Sequence, residues 1–227
     1  MAFLRAISRW LLRAVLLLLA IFATLVVLWA WAPPLSTLML ARWITLRPVE
    51  RVWTPLERMG TALPLAVIAS EDGRFCRHGG VDWGALREVI DTAGEDGPAR
   101  GASTIPMQSA KNIFLWPSRS ALRKGLEIPA AMVIDKFWGK RRVMEAYLNI
   151  AEWGEGLFGA EAAAQRYFGK SAAQLAPREA ALLAAALPNP LRRDPAHPSL
   201  RHKGLAAIIL RRMAGAPGLA DCLKAGD

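Results

Sequence analysis

The sequence predicts a single mainly-α domain carried on one N-terminal transmembrane helix. Three observations predict it. Residues 14–32, AVLLLLAIFATLVVLWAWA, contain a single polar side chain, Thr24. Beyond Pro64 the apolar residues recur at helical spacing, with Pro, Ser, Thr and Asp standing where helices begin. No run alternates apolar and polar residues for long enough to read as a half-buried strand.

The elements follow in order. At about 1.5 Å per residue the run 14–32 matches the roughly 30 Å hydrocarbon core of a bilayer. Arg5, Arg9 and Arg13 precede it, so the positive-inside rule places residues 1–13 in the cytoplasm and the rest outside. A cleaved signal peptide is the alternative; the apolar run is too long and Trp-Ala-Pro-Pro is a poor cleavage site. Residues 33–62 mix bulky apolar groups with Arg and read as membrane-proximal, with Trp43 and Trp53 at headgroup level. The main domain runs over 63–227. Pro64 sits in the first turn of a helix leading to Glu71, and Asp82 caps one carrying Leu86, Val89 and Ile90. GEDGPARGAS (94–103) is a loop, followed by a helix from Thr104 to about Ile113 and a break at FLWPSRS (114–120). Residues 140–150 are helical, Gly154–Gly159 is a loop, Ser171 and Gln174 form a capping box, and Pro177 opens an Ala/Leu helix. A last helix spans about Ser199 to Met213.

The formal net charge of +10 calls for an anionic partner. No nucleic-acid-binding signature is present, and the topology removes the domain from the cytoplasm. Anionic headgroups or pyrophosphates fit; nucleic acid does not. Cys76 and Cys222, far apart in sequence, make no disulfide framework and no zinc spacing.

Reactive groups concentrate in SEDGRFCRHGG (70–80). A Cys76 nucleophile served by His78 lacks an orienting third group. A metal site from Glu71, Asp72 and His78 lacks a familiar spacing. Acid–base chemistry is better supported, because other stretches complete it. Thr104, Gln108 and Lys111 fall on one helix face, as do Arg119, Arg123 and Glu127. Each stripe alone reads as a solvated face. Together they add a second carboxylate, an amide and several cations, which suits glycosyl transfer with a phosphorylated leaving group.

These stretches resemble a family. EDGRFCRHGG matches Glu-Asp-x-x-Phe-x-x-His-x-Gly, GASTIPMQ is similar to Gly-x-Ser-Thr-Ile-x-Gln-Gln, RKGLE matches Arg-Lys-x-x-Glu, and KRRVMEAYLN matches Lys-x-x-(Ile/Val)-(Leu/Met)-Glu-x-Tyr-Leu-Asn. They are the ordered motifs of the peptidoglycan glycosyltransferases. GLFGAEAAAQRYFGK and PREAALLAAALPNP resemble its downstream segments, so the likeness covers about Leu63 to Met213. The related class A penicillin-binding proteins add a transpeptidase with a Ser-x-x-Lys nucleophile. No Ser here has Lys three residues on, so the chain resembles the monofunctional branch.

The resemblance implies a lysozyme-like α-helical fold with a small membrane-associated lobe, a catalytic domain in the periplasm, and an anchor in the bacterial inner membrane. The donor would be a glycan on undecaprenyl pyrophosphate, the acceptor the 4-hydroxyl of lipid II, and the product a β-1,4 bond formed with inversion. Glu71 would be the general base and Glu127 the second carboxylate. Lys111, Arg119, Arg123 and Lys124 would clamp the pyrophosphate, while Ser103, Thr104 and Gln108 would bind donor sugar or phosphate. Asp72, grouped with the substrate-binding residues, would position Glu71 or a neighbour. Phe75, His78, Gly80, Glu145, Tyr147 and Asn149 would be structural, and Cys76 incidental. No cofactor is firmly implied; the pyrophosphate leaves room for Mg or Mn. Other cell-wall synthesis proteins are candidate partners. One departure stands out: Met107 occupies the place of the first paired glutamine, so a donor-site hydrogen bond is expected to be missing.

Overall fold

A computed structural model describes residues 2–91, 102–118 and 120–224. The predicted loop 94–103 lies almost wholly outside the described residues, as does Arg119. The chain divides into two compact units, Met1–Pro34 and Leu35–Asp227. The first is one helix, α1 (Ala2–Trp31), of which Ile7–Trp31 is long and apolar enough to cross a membrane, with a mean hydropathy of 2.8.

The second unit opens with α2 (Thr37–Ile44), whose start is fixed by the Ser36 hydroxyl accepting from the Met39 N–H. α3 (Ala62–Glu71) is almost wholly buried, with Leu63, Ala66, Val67 and Ile68 sealed in the core. Asp82 Oδ1 accepts from the Ala85 N–H and starts α4 (Trp83–Asp91). Thr104 caps α5 (Ile105–Phe114), and Pro106 sits in its first turn, where a missing N–H costs no helical bond. α6 spans Ala121–Ile150 but breaks at Gly139, where φ is +69°. The half before the break carries Arg123, Lys124 and Glu127; the half after it carries Glu145, Tyr147 and Asn149. α7 (Ala160–Phe168), α8 (Pro177–Ala186) and α9 (Leu200–Gly215) complete the domain. α5 packs along α6, and α3 lies against α8 and α9. That arrangement brings the C-terminal end of α3, where Glu71 sits, beside Gln108 of α5 and Arg212 of α9.

Two expectations need correction. Residues 154–159 are not a plain loop: β2 (Glu152–Gly154) and β3 (Leu157–Phe158) form an antiparallel hairpin, and β1 (Glu50–Arg51) pairs in parallel with β3 in the order β1-β3-β2. Strands of two or three residues are too short for alternation to register. The turn needs Gly156, whose φ is +69° and whose added Cβ would lie 2.7 Å from the Pro48 carbonyl. Trp53 does not project as a headgroup anchor. It is half-buried, with the Arg51 guanidinium 4.8 Å and the Arg142 guanidinium 5.2 Å from its ring centre. Trp43 remains half exposed.

Polar residues of α6 tie this core together. Asn149 exchanges two hydrogen bonds with the Thr54 backbone, each 2.9 Å. Glu145 accepts from the Leu56 N–H and pairs with Arg142.

Candidate active site

Glu71 ends α3 and lines a cleft of about 790 Å³ together with Ser70, Ser103, Gln108, Pro188 and Arg212. Its carboxylate is held at both oxygens. The Ser70 hydroxyl donates to Oε1 at 2.9 Å, and the Gln108 amide donates to Oε2 at 3.2 Å. Burial pushes the Glu71 carboxyl above its ordinary value; those hydrogen bonds and the charge of Arg193 oppose the rise, while Asp72 adds to it. A carboxylate so placed is a better base than a solvated one and is still reached from the cleft.

The neighbouring residues of the stretch build the support. Asp72 caps the end of α3 and receives His78 Nε2 at 2.9 Å and the Ile105 N–H at 2.9 Å, joining the Glu71 turn to the start of α5. Phe75 is fully buried. Gly80 has φ +90°, and a Cβ there would meet the Ala131 carbonyl oxygen at 2.7 Å, a backbone contact that cannot yield. Thr104 donates to the Gly80 carbonyl at 2.6 Å and accepts from the Met107 N–H. The Asp72 and Thr104 side chains are buried and engaged within the fold, and both residues also line a small cavity of about 180 Å³ with Glu71 and Ser103.

The second carboxylate, Glu127, is buried between two cations. It pairs with Arg123 and, at 2.7 Å, with Lys124. Lys124 Nζ also donates to Ser103 Oγ at 2.7 Å. Since Ser103 lines the Glu71 cleft, Ser103 and Lys124 connect that cleft to the Glu127 cluster. Desolvation, then the charges of Arg123 and Lys111, lower Lys124 to about 8. Lys111 is likewise lowered, by burial first and by Arg123 second, with Glu71 opposing. It faces a second cavity of about 420 Å³ with Arg123, Trp116 and Ser118. Lys111 and Lys124 are thus both lowered in a partly buried space beside Arg123, an arrangement relieved by an anion. Among the described residues no three His, Cys, Asp or Glu side chains converge to hold a metal ion.

Met107 proves different from expectation. Its side chain is 1% exposed and packs in the core, so the thioether replaces no group in the cleft. Gln108 lines the cleft and faces Glu71, and its Oε1 accepts from the Tyr147 hydroxyl at 3.0 Å.

Cys76 also proves different. It is bonded to Cys222, across 146 residues of sequence. The tail so fastened contributes Ala216 and Leu219 to the wall of the Glu71 cleft. Sequence spacing gave no sign of this, since the two residues meet only through the packing of α9 on α3. Cys222→Ser should keep turnover within a few fold but lower stability by about 2–4 kcal/mol, because the unfolded chain loses a long closed loop. Thermal unfolding of the variant, and of the wild type under dithiothreitol, checks this; unchanged melting in both would contradict it.

Arg212, on α9, lines the cleft and donates to the Ala69 carbonyl at 3.2 Å. The signal for it was present: His202, Ala206 and Ile209 mark the buried face of α9, and the next turn of that face carries Arg212.

Residues 39–214 match the transglycosylase family. Similar chains include proteins named biosynthetic peptidoglycan transglycosylase from Brucella suis biovar 1 (49% identical over 210 residues, 92% of this chain and 94% of that one). Others so named come from Agrobacterium fabrum (52% over 190 residues, 84% of each chain) and Rhodospirillum centenum (50% over 207 residues, 89% and 90%).

Proposed function

The chain belongs to the transglycosylase family and is a peptidoglycan glycosyltransferase, and we propose that it extends glycan chains by joining a lipid-linked donor to lipid II with Glu71 as general base. The single observation that carries the residue assignment is the setting of Glu71: a half-buried carboxylate, raised by desolvation, held by two donors and facing a cleft that Ser103 links to the cations around Glu127.

In this reading the 4-hydroxyl oxygen of lipid II attacks C1 of the donor sugar, and Glu71 takes its proton. The C1–O bond to phosphate breaks, and undecaprenyl pyrophosphate leaves with the electron pair. Attack opposite the departing group turns an α-linked pyrophosphate into a β-1,4 bond. Lys111, Arg123 and Lys124, with Arg119 beside them in sequence, bind the pyrophosphate and stabilise the charge that grows on it, where fixed cations act most effectively. Glu127 holds Arg123 and Lys124 in place and keeps the cluster from repelling itself apart. Ser103 touches both ends of the site through Lys124. Digestion of the polymer with an enzyme that hydrolyses only β-1,4 bonds tests the stereochemistry. Complete digestion is expected, and a resistant product would overturn inversion.

The pH dependence follows from the two sets of groups. Glu71 must be ionised, so the rate rises with pH through a value above that of an ordinary glutamate. Lys124 must be protonated, so the rate falls as pH passes about 8. A bell-shaped profile of kcat/KM for lipid II is the expected result; a flat alkaline side would remove Lys124 from the clamp.

The N-terminal helix serves as a single-pass anchor in the inner membrane, with the N-terminus inside and the enzyme in the periplasm. Arg5, Arg9 and Arg13 support that orientation. A reporter active only outside the cytoplasm, fused after Gly60, should be active; inactivity of a stably expressed fusion would reverse the topology.

A further inference from the structure

We propose that Tyr147 is a positioning residue for the reaction: its hydroxyl fixes the Gln108 side-chain amide so that the NH2 end faces Glu71, and this sets the proton affinity of the base. The inference rests on the assignment of Glu71 made above.

The geometry is a chain of two hydrogen bonds reaching from the core to the cleft. Tyr147, 1% exposed, donates from its hydroxyl to Gln108 Oε1 at 3.0 Å, and Gln108 Nε2 donates to Glu71 Oε2 at 3.2 Å. An amide has a donating end and an accepting end, and turning it over exchanges them. Turned over, Gln108 would set its carbonyl against the Glu71 carboxylate, and the phenolic hydrogen would lose its acceptor inside the core. Burial, with the nearby charges of Glu71 and Asp72, keeps the phenol protonated, so it remains a donor. The orientation that satisfies Tyr147 is therefore the one that stabilises ionised Glu71.

The other groups around Glu71 do not perform this task. Ser70, on the same helix, donates to the opposite oxygen. Asp72 is tied to His78 and the Ile105 N–H. Lys111 on α5, Arg193 beyond α8 and Arg212 on α9 act on the carboxylate by charge, or share its cleft. Among the described residues, only Tyr147 donates to the carbonyl end of Gln108. The motif in which Tyr147 lies thus has a second role besides bracing the core.

The test uses the full-length protein in lipid nanodiscs with 13C-carboxyl-labelled glutamate. The Glu71 signal is assigned by its loss in Glu71→Gln. Tyr147→Phe, which preserves the ring, should move the Glu71 titration up by about one pH unit. The acid limb of kcat/KM should move with it, while the rate on the plateau stays within a few fold and KM is unchanged. In a Gln108→Ala background, Tyr147→Phe should cause no further shift, because the two act in series. A folded Tyr147→Phe protein with an unmoved Glu71 titration would overturn the proposal. So would an equal, additive shift in the Gln108→Ala background, or a plateau lowered at every pH, which marks a merely structural role. If the titration moves and the acid limb of the rate does not, the hydrogen-bonded lock stands and the assignment of Glu71 as base is what fails.

Discussion

Glu71→Gln should lower lipid II polymerisation by roughly 10²–10⁴-fold, the range a positioned general base contributes. Glutamine preserves the size of the side chain and can still accept from Ser70, so the cleft keeps its shape. What disappears is the site that takes the proton from the acceptor hydroxyl. Binding of lipid II should largely survive, so kcat falls and KM changes little. Stability should hold or rise. The folded-state pKa of Glu71 lies above its unfolded value, so the carboxylate's penalty on folding builds as pH rises from the unfolded to the folded pKa and stays constant above it. A variant that is folded, as stable as the wild type and nearly inactive is the expected result. Near wild-type polymerisation by folded Glu71→Gln would remove it from the chemistry.

Glu127→Gln should give a different failure. Glu127 is buried and lies between Arg123 and Lys124. Removing its charge leaves two cations without their counter-ion, and breaking such a pair from one side is costly. Because Lys124 is partly exposed to water, the loss of stability should be moderate, about 2–4 kcal/mol. Polymerisation should fall at least about 10²-fold, since the cations that meet the leaving pyrophosphate are no longer held in register. Binding of a pyrophosphate-bearing donor analogue, read by calorimetry, should change as well. The two carboxylates thus separate by signature: loss of rate alone at Glu71, and loss of rate, stability and normal donor binding at Glu127. If Glu127→Gln melted like the wild type and bound the analogue normally, its role as the keystone of the cation cluster would be wrong.

These contrasts show what the sequence could and could not reveal. Helix starts were legible because their signals are local: Thr104, Asp82 and Ser199 each accept from a backbone N–H three residues on. The two carboxylates were legible through their motifs. Local patterns could not show which polar side chains point inward. Nothing local shows that Asp72 and Thr104 also cross-link α3, the Gly80 turn and α5. Met107 looked like a lost contact and is a core residue. The hairpin at 152–158 is too short to carry a period, and the Cys76–Cys222 bond depends on contacts distant in sequence. Gln108 was recognised as important, but its partners on both sides, Tyr147 and Glu71, are set by the packing of α5 on α6. What remained hidden was tertiary, and it is a tertiary contact, from Gln108, that helps hold the Glu71 carboxylate.

The most direct measurement is the incubation of purified full-length protein with lipid II, followed by separation of the products by size. The account predicts a ladder of lengthening glycan, still carried on undecaprenyl pyrophosphate and lost in Glu71→Gln. Release of fragments from preformed glycan, with no polymer made from lipid II, would contradict it.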